Sequence, residues 1–252
     1  MTRSTLLRFA AATMLAGLSL GSALAGEAKK LAGVVELFTS QGCSSCPPAD
    51  AVFEELSKRS DIVALAYHVD YWDYLGWRDT LGSPENTARQ YDYAKSFGVR
   101  TVYTPQAVIN GRVDVNGADR AQVSSALRKL SGAGQGMSVD IKVMHTGDSV
   151  VIDAGEGAGD EKGQVVLVYY EPARPVAIER GENRGRTMTY WNAVSEIQTA
   201  GMWHGAAARY EFPMSEMAKK GAGGCAVLLQ STGEDGLPGP ILGAAVIDQP
   251  GN

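Results

Sequence analysis

Two cysteines, Cys43 and Cys46, are the residues of this sequence whose type and spacing point most directly to chemistry. Thiols at this spacing can close a small disulfide ring or leave one thiolate free to attack another disulfide. Pro47 and Pro48 follow, and then apolar residues at helical spacing, so we expect the pair at a helix N-terminus. Because that end of a helix favours a negatively charged sulfur, we expect an exposed Cys43 to attack and Cys46 to resolve the mixed disulfide.

The elements that must position this pair alternate between strand-like and helix-like stretches over residues 33–130. Apolar runs over 34–39 and 62–67 predict buried strands, with an amphipathic helix between them. Further along, two more helices flank a predicted hairpin. The predicted order β, α, β, α, β, β, α is typical of an α/β domain.

Local signals mark the ends of two of these elements. Ser83 and Pro84 predict the start of the second helix, and Gly98 predicts its end. The pair Asn110-Gly111 predicts the tight turn of the hairpin.

The second half of the chain has a different texture, with short apolar runs separated by glycine-rich turns. It predicts a β-rich, sandwich-like domain. Within it, residues 192–200 predict a short helix, and Cys225, in an apolar strand, predicts a buried, inert thiol. The predicted organisation is a signal peptide, a first domain, a glycine-rich linker and a second domain, over residues 1–25, 26–131, 132–136 and 137–252.

The first residues have the composition of an export signal. Arg3 and Arg8 precede an apolar stretch that ends in Ser22-Ala23-Leu24-Ala25, with alanine at both small-residue positions of a cleavage site. The stretch is shorter than the ~20 apolar residues of a membrane span. We therefore predict cleavage after Ala25, no membrane span in the mature chain, and a periplasmic or secreted protein in a disulfide-permitting compartment.

The charge balance argues against a nucleic-acid-binding protein. The 252 residues include 23 lysines and arginines and 28 aspartates and glutamates, a formal net charge of -5. Such a chain, which also lacks a basic run, cannot neutralise many phosphates. The three cysteines are too few to staple a chain of this length, so we expect any special role among them to be chemical.

The cysteine pair and a later Val102-Tyr103-Thr104-Pro105-Gln106 segment resemble the thioredoxin superfamily over about residues 33–130. More narrowly, the chain resembles a bacterial family of secreted thioredoxin-like proteins of undefined function with a Cys-Ser-Ser-Cys-Pro-Pro motif. The segments that carry this narrower resemblance are 36–50, 67–72, 103–106 and 181–187. It implies an α/β, thioredoxin-like domain followed by the β-rich, sandwich-like C-terminal domain.

The resemblance also implies roles for individual residues. Pro105 would be the superfamily's cis-proline, and Thr104 would supply backbone that pairs with an extended substrate segment. Glu36 is at a position similar to that of a buried acid that relays protons, so it could take the Cys46 proton. The alternative for Glu36 is a strand acid with a structural partner. The Ser-Ser dipeptide matches neither typical thioredoxins nor strong oxidants, so the direction of electron flow stays open.

Aromatic residues are concentrated in segment 67–103, which contains nine of the chain's 19 aromatic residues. We predict that residues 68–83 form a loop that walls the thiol site and selects its partner. The candidate substrate-binding rings are Tyr71, Trp72 and Trp77. The alternative is that most of these rings simply close the core.

His68 ends the second predicted strand, where it could carry protons for the thiols. Alternatively, it is an ordinary hydrogen-bonded histidine at a strand end. Together with Cys43 and Cys46 it could also hold a soft metal, which makes a copper-binding or copper-delivery protein the rival function. A structural zinc site generally takes four ligands, and the sequence offers no second Cys-x-x-Cys, so we predict no such site.

We therefore predict an exported thiol-disulfide exchange protein that needs no organic cofactor. Its partners would be protein thiols or disulfides of the cell envelope and an unidentified redox partner. A third possibility is a non-catalytic binding module in which the disulfide is only structural. The sequence leaves open whether the protein oxidises, reduces or isomerises disulfides.

Overall fold

The computed structural model describes residues 31–159, 161–215, 223–233 and 235–247, a mixed α/β structure with a large β-sheet. The predicted signal segment, 1–25, lies outside these residues. No helix within these ranges is long and apolar enough to cross a membrane. The helices and strands, in chain order, are β1 (Gly33–Thr39), α1 (Pro47–Ser57), β2 (Ile62–His68), α2 (Pro84–Ser96), β3 (Gln106–Ile109), β4 (Val113–Asn116), α3 (Arg120–Gly132), β5 (Ile141–Thr146), β6 (Ser149–Ala154), β7 (Gly163–Ala177), β8 (Thr187–Trp203), β9 (Ala208–Pro213), β10 (Gly224–Thr232) and β11 (Pro238–Ile247).

The first seven elements occur in the predicted order. Strand β1 is parallel to β2 and antiparallel to β3, and β3 is antiparallel to β4, which gives the order β2-β1-β3-β4. Successive side chains of a strand point to opposite faces. Accordingly, Val35 and Leu37 pack in one core with residues of α1 and α3, while Val34 and Phe38 pack in another with Tyr93 of α2. The central strand β1 is therefore covered on both faces.

The predicted start of the second helix is confirmed. Helix α2 begins at Pro84, and the Ser83 hydroxyl accepts a hydrogen bond from the Asn86 N–H. Gly98 follows the helix with a positive φ of 68°. The Asn110-Gly111 turn joins β3 to β4, and both of its residues have positive φ.

Strands of the second half continue the same sheet, whose full order is β11-β10-β7-β8-β2-β1-β3-β4. The two parts join where Ala193 of β8 pairs with Ala66 of β2. Asn192 strengthens the junction because its Nδ2 donates to the Ala64 carbonyl at 2.9 Å. Helix α3 ends at Gly132, the first residue of the predicted linker. The division into two domains stays a prediction.

The predicted short helix over residues 192–200 is wrong. This stretch lies within β8, which pairs antiparallel with β7 along most of both strands. A short apolar run cannot by its spacing alone distinguish a strand from a helix, and here pairing with a long neighbour decides the conformation.

A second sheet of order β5-β6-β9 packs against the face of β7 and β10 opposite α2. Val150 and Ile152 of β6 share this core with Val165 of β7 and Cys225 of β10. Burial of Cys225 is thus confirmed, and it raises the pKa of that thiol to about 12. The thiol is therefore protonated at neutral pH, which makes it a poor nucleophile.

Candidate functional site

Cys43 and Cys46 form a disulfide just beyond the carboxyl end of β1, with their Cα atoms 5.4 Å apart. The prediction that Cys43 lies at the helix N-terminus needs correction, because Cys46 is the N-cap of α1. The Cys46 carbonyl accepts hydrogen bonds from the N–H groups of Ala49 and Asp50, at 2.8 and 3.0 Å. The two residues between are prolines, which fit the first helical positions because no N–H is needed there. Cys43 therefore lies outside the helix, at the start of the turn 43–46, in which the Cys46 N–H donates to the Cys43 carbonyl.

The expected exposure of Cys43 is also wrong, because Cys43 is only 1% exposed and Cys46 is fully buried. Trp72 covers the disulfide loop on one side. A Cβ at Gly42 would lie 3.0 Å from the Trp72 Cβ, so a larger residue here would crowd Trp72. The physical reason for the burial is tertiary, since segments distant in sequence close over the loop.

The other cover is the turn between β7 and β8, which the sequence did not assign to the site. Asn183 is buried, and its Nδ2 donates to the carbonyls of Gln41 and Cys43 at 2.9 and 2.8 Å. The neighbouring Glu182 carboxylate accepts a hydrogen bond from the Ser44 N–H at 3.3 Å. The only sequence signal for this contact was that segment 181–187 belongs to the narrower family resemblance.

The loop that carries Pro105 adjoins the disulfide, as predicted for Thr104 and Pro105. The Thr104-Pro105 peptide bond is cis. The Ser45 hydroxyl donates to the Thr104 carbonyl at 3.4 Å and lies 3.4 Å from the Cys43 Sγ. The structure thus brings the cysteine pair and the residues of the predicted docking loop together.

The aromatic segment lies beside the same loop. Trp72 Nε1 donates to the Thr104 hydroxyl at 2.8 Å, and Trp77 Nε1 donates to the Gln41 side-chain oxygen at 2.8 Å. The Tyr71 hydroxyl donates to the Gln90 side chain at 3.1 Å and also interacts with the Thr104 side chain. The two tryptophans therefore wall the disulfide loop. That they select a partner stays a prediction.

Glu36 is a strand acid with structural partners, which is the alternative to the proton-relay role. Its side chain is fully buried, and the Arg89 Nε donates to Oε1 at 2.8 Å. The other carboxylate oxygen accepts a short hydrogen bond from the Tyr93 hydroxyl. These contacts lie on the α2 face of the sheet, whereas α1 packs on the other face. Glu36 is therefore paired on the sheet face opposite the helix that Cys46 caps.

A buried acid-base cluster lies instead on the α1 face, where β1 and β2 end. Thr39 and His68 are paired at these strand ends. The Thr39 hydroxyl donates to Asp50 Oδ1 at 2.8 Å, and His68 Nδ1 lies 2.8 Å from Asp79 Oδ2. The His68 ring also packs edge-on against Tyr190, with centroids 4.7 Å apart. His68 is thus the hydrogen-bonded strand-end histidine of the alternative interpretation, within a cluster that also includes Asp50.

The charges of this cluster are set by burial and by one another. Burial raises the pKa of Asp50 to about 7, although His68 and the Thr39 hydrogen bond oppose the shift. Burial also disfavours the His68 imidazolium, but the Asp79 carboxylate outweighs it and raises the pKa of His68. The same pairing overcomes burial at Asp79 and lowers its pKa. Asp50 can therefore gain or lose a proton near neutral pH.

Two buried atoms of the cluster, Asp50 Oδ2 and His68 Nε2, have no hydrogen-bond partner within the described residues. Asp50 follows Cys46 by four residues, so the two side chains lie on the same side of α1. This i to i+4 spacing was visible in the sequence and could have identified Asp50. The role of this acid depends on tertiary contacts, because the groups that interact with it, Thr39, His68 and Tyr190, lie on three different strands.

The proposed copper ligands do not come together as a metal site. Among the described residues, no group of three or more histidine, cysteine, aspartate or glutamate side chains is placed to hold a metal ion. His68 directs Nδ1 to Asp79, and the two cysteines are bonded to each other.

Comparisons with known proteins place this arrangement in a family. A crystal structure of protein AGR_C_4864 from Agrobacterium tumefaciens is 45% identical, covers 87% of this chain and 95% of that chain, and has a TM-score of 0.79. HBP35 of Porphyromonas gingivalis shares the fold at 11% identity, with a TM-score of 0.60 over 86% of this chain and 75% of that one. No curated protein matches. The model of a family described as protein of unknown function (DUF1223) matches residues 34–230, so the chain belongs to that family.

Proposed function

We propose that this protein carries out thiol-disulfide exchange on proteins of the cell envelope through Cys43 and Cys46, within a thioredoxin-like domain. The observation that carries the proposal is the Ser45 contact, which joins the disulfide loop to the carbonyl of the cis Thr104-Pro105 peptide. It places a reducible bond beside backbone that can dock an extended segment. The β2-β1-β3-β4 order, with α1 directly after the disulfide, supports the thioredoxin-like arrangement.

The exchange itself involves two sulfur displacements. A client thiolate attacks the Cys43 Sγ, the Cys43–Cys46 bond breaks, and Cys46 leaves as a thiolate that takes up a proton. A second client thiolate then attacks the client sulfur of the mixed disulfide and releases Cys43. The client thereby loses two electrons and two protons and gains a disulfide, while the pair becomes two thiols. The same steps in reverse reduce a client, and a redox partner restores the pair.

Asp50, and not Glu36, is the proton carrier in this proposal. Its carboxyl titrates near neutral pH and lies on the Cys46 side of α1. A protonated Asp50 can donate a proton to the leaving Cys46 thiolate, and an ionised Asp50 can accept the Cys46 proton in the reverse direction. His68 is held by a hydrogen bond to Asp79, and its positive charge opposes the rise in the pKa of Asp50.

The test is a titration of the purified mature protein against glutathione buffers, in which the Cys43–Cys46 bond is followed by thiol alkylation. We expect a reversible transition; a potential near ~-120 mV would indicate an oxidant and one near ~-270 mV a reductant. A Cys46→Ala variant should trap mixed disulfides with client proteins at Cys43. Cys225→Ala is the matched control and should change neither result. A pair that neither accepts electrons from any thiol nor donates them to any disulfide would contradict the proposal.

Replacing both Trp72 and Trp77 with alanine should slow exchange with a protein disulfide more than exchange with a small dithiol. The physical reason is that these rings contact Thr104 and Gln41 at the edges of the disulfide loop, where a docked segment would lie. The measurement is the ratio of the two rates in wild type and variant. Tyr91→Ala removes an exposed aromatic from α2 and serves as the control. Equal losses on both substrates would contradict a role in selection.

The non-catalytic binding module remains a second candidate because of one observation, the burial of Cys43. A disulfide that no reagent can reach would be structural. Whether the cover over Cys43 can move therefore decides between the two functions.

A further inference from the structure

We propose that the tip of the β7–β8 hairpin, residues 178–186, is a displaceable cap that holds the place of an extended client segment on the disulfide loop. This inference rests on the proposed function: the substrate is a polypeptide, and the cap controls access to the disulfide.

The cap bonds to the disulfide loop as a bound peptide would. Asn183 Nδ2 donates to the carbonyls of Gln41 and Cys43, at 2.9 and 2.8 Å. Glu182 accepts from the Ser44 N–H, at 3.3 Å. Donors to two carbonyls and an acceptor for one N–H are what the backbone of an extended polypeptide also offers. A small thiol offers far fewer of these groups, so the substrate class that replaces the cap is polypeptide.

The base of the cap is firmly attached. Ile178 is buried among Val176 and Tyr190, with Trp77 packed against this group, and its N–H bonds to the Arg186 carbonyl at 2.9 Å. The hairpin therefore keeps its position when the tip opens.

The tip has a weaker hold. Its hydrogen bonds to the disulfide loop come from the side chains of two adjacent residues, Glu182 and Asn183, and Glu182 is exposed. The Asn183 Oδ1 is buried without a partner within the described residues, a cost that the closed cap bears and an open cap does not. Gly181 and Gly185 flank these residues, and a glycine backbone can change conformation more readily than that of other residues. These features make the tip the part of the hairpin that opens first.

In the closed state Cys43 is only 1% exposed, and the tip is bonded to the Cys43 carbonyl and to the N–H of the next residue. We therefore expect movement of the tip to open a path to the Cys43 Sγ. A client segment gains access by taking over the bonds of Glu182 and Asn183. The cap thus protects the disulfide from small thiols and yields to polypeptides.

The experiment measures reduction of the Cys43–Cys46 bond by dithiothreitol, followed by rapid alkylation and mass analysis. Dithiothreitol becomes a cyclic disulfide, and the two cysteines become thiols. We expect Asn183→Ala to speed reduction about tenfold, because it removes two hydrogen bonds, and Glu182→Ala to add to the effect. Arg184→Ala, an exposed residue of the same tip, is the matched control and should match wild type.

A second measurement keeps the proposal falsifiable if one variant folds poorly. In wild type the second-order rate constant for reduction should be far lower for the folded protein than for the urea-unfolded chain, because only the open fraction of folded molecules reacts. Equal rate constants for folded and unfolded chains, or a Glu182→Ala, Asn183→Ala double variant with the wild-type rate, would overturn the cap.

These outcomes are distinct from failure of the proposed function. Faster reduction in the cap variants, together with no exchange with any protein client, would keep the cap and refute the exchange function. Client exchange with unchanged dithiothreitol kinetics in the cap variants would do the opposite.

Discussion

Replacing Arg89 with methionine is expected to lower the free energy of unfolding by about 3–5 kcal/mol, the usual cost of leaving one member of a buried ion pair alone. Arg89 is 11% exposed and Glu36 is fully buried, with Nη2 and Oε1 2.7 Å apart. The same guanidinium donates to the Tyr93 hydroxyl and to the Gln230 side chain, so it links α2 to β1 and to β10. Urea unfolding at neutral pH, followed by circular dichroism, would measure the loss.

Lys95→Met is the matched control on the same helix. Lys95 pairs with Asp92 at 2.7 Å, but both side chains are largely exposed. Exposed pairs of this kind contribute about 0–1 kcal/mol, so the control should differ little from wild type. If Arg89→Met and Lys95→Met destabilised the protein equally, Arg89 would not be the partner that stabilises the buried Glu36.

Glu36→Gln extends this reasoning to catalysis. Because both carboxylate oxygens of Glu36 are engaged by Arg89 and Tyr93, we expect the variant to lose stability but to keep the wild-type rate of disulfide exchange per folded molecule. The rate is measured with the same client and corrected for the folded fraction. A variant of normal stability with slow exchange would instead restore Glu36 as a proton carrier.

Local features of the fold could be predicted from the sequence because they depend on neighbours in the chain. The helix N-terminus at Ser83 depends only on the three residues that follow it, and the turn at Asn110-Gly111 needs only residues that tolerate positive φ. The cysteine pair was found for the same reason, since three residues of separation suffice for a disulfide. Such signals are read directly from spacing.

The parts of the site that were missed depend on contacts between distant residues. Asn183 lies 140 residues beyond Cys43, whose carbonyl it binds, so nothing in the local sequence could show that Cys43 is covered. The family resemblance suggests a proton-relay role for Glu36 and leaves a structural role as the alternative, but the partner that decides between them, Arg89, lies 53 residues further on. Residues 192–200 were assigned to a helix because the pairing of β8 with β7 is also a tertiary feature.

Asp50→Asn is expected to remove the rise near pH 7 in the rate at which Cys46 resolves a mixed disulfide, leaving only the dependence that ionisation of the Cys46 thiol itself produces. In wild type this rate should rise through about pH 7, because burial raises the pKa of Asp50 to about 7 and only the ionised carboxyl accepts the Cys46 proton. At pH 8 the variant should be ~100-fold slower, the lower end for loss of a general base. Stopped-flow release of glutathione from a preformed Cys43 mixed disulfide measures the step. Asp92→Asn, an exposed acid of α2, is the control.

Ionisation of Asp50 should also make the stability of the fold depend on pH. The pKa of Asp50 is raised from 3.8 to about 7, so the folded state binds a proton that the unfolded state has already released in this range. Stability should therefore fall as pH rises from about 4 to about 7, and Asp50→Asn should make that decline shallower. The raised pKa of His68 adds a decline above pH 6.5, which should be smaller in Asp50→Asn because the Asp50 charge contributes to that shift. Melting temperatures between pH 4 and 8 would test this. Equal slopes would mean that Asp50 ionises normally, and its role as proton carrier would then be lost even if the variant were slow.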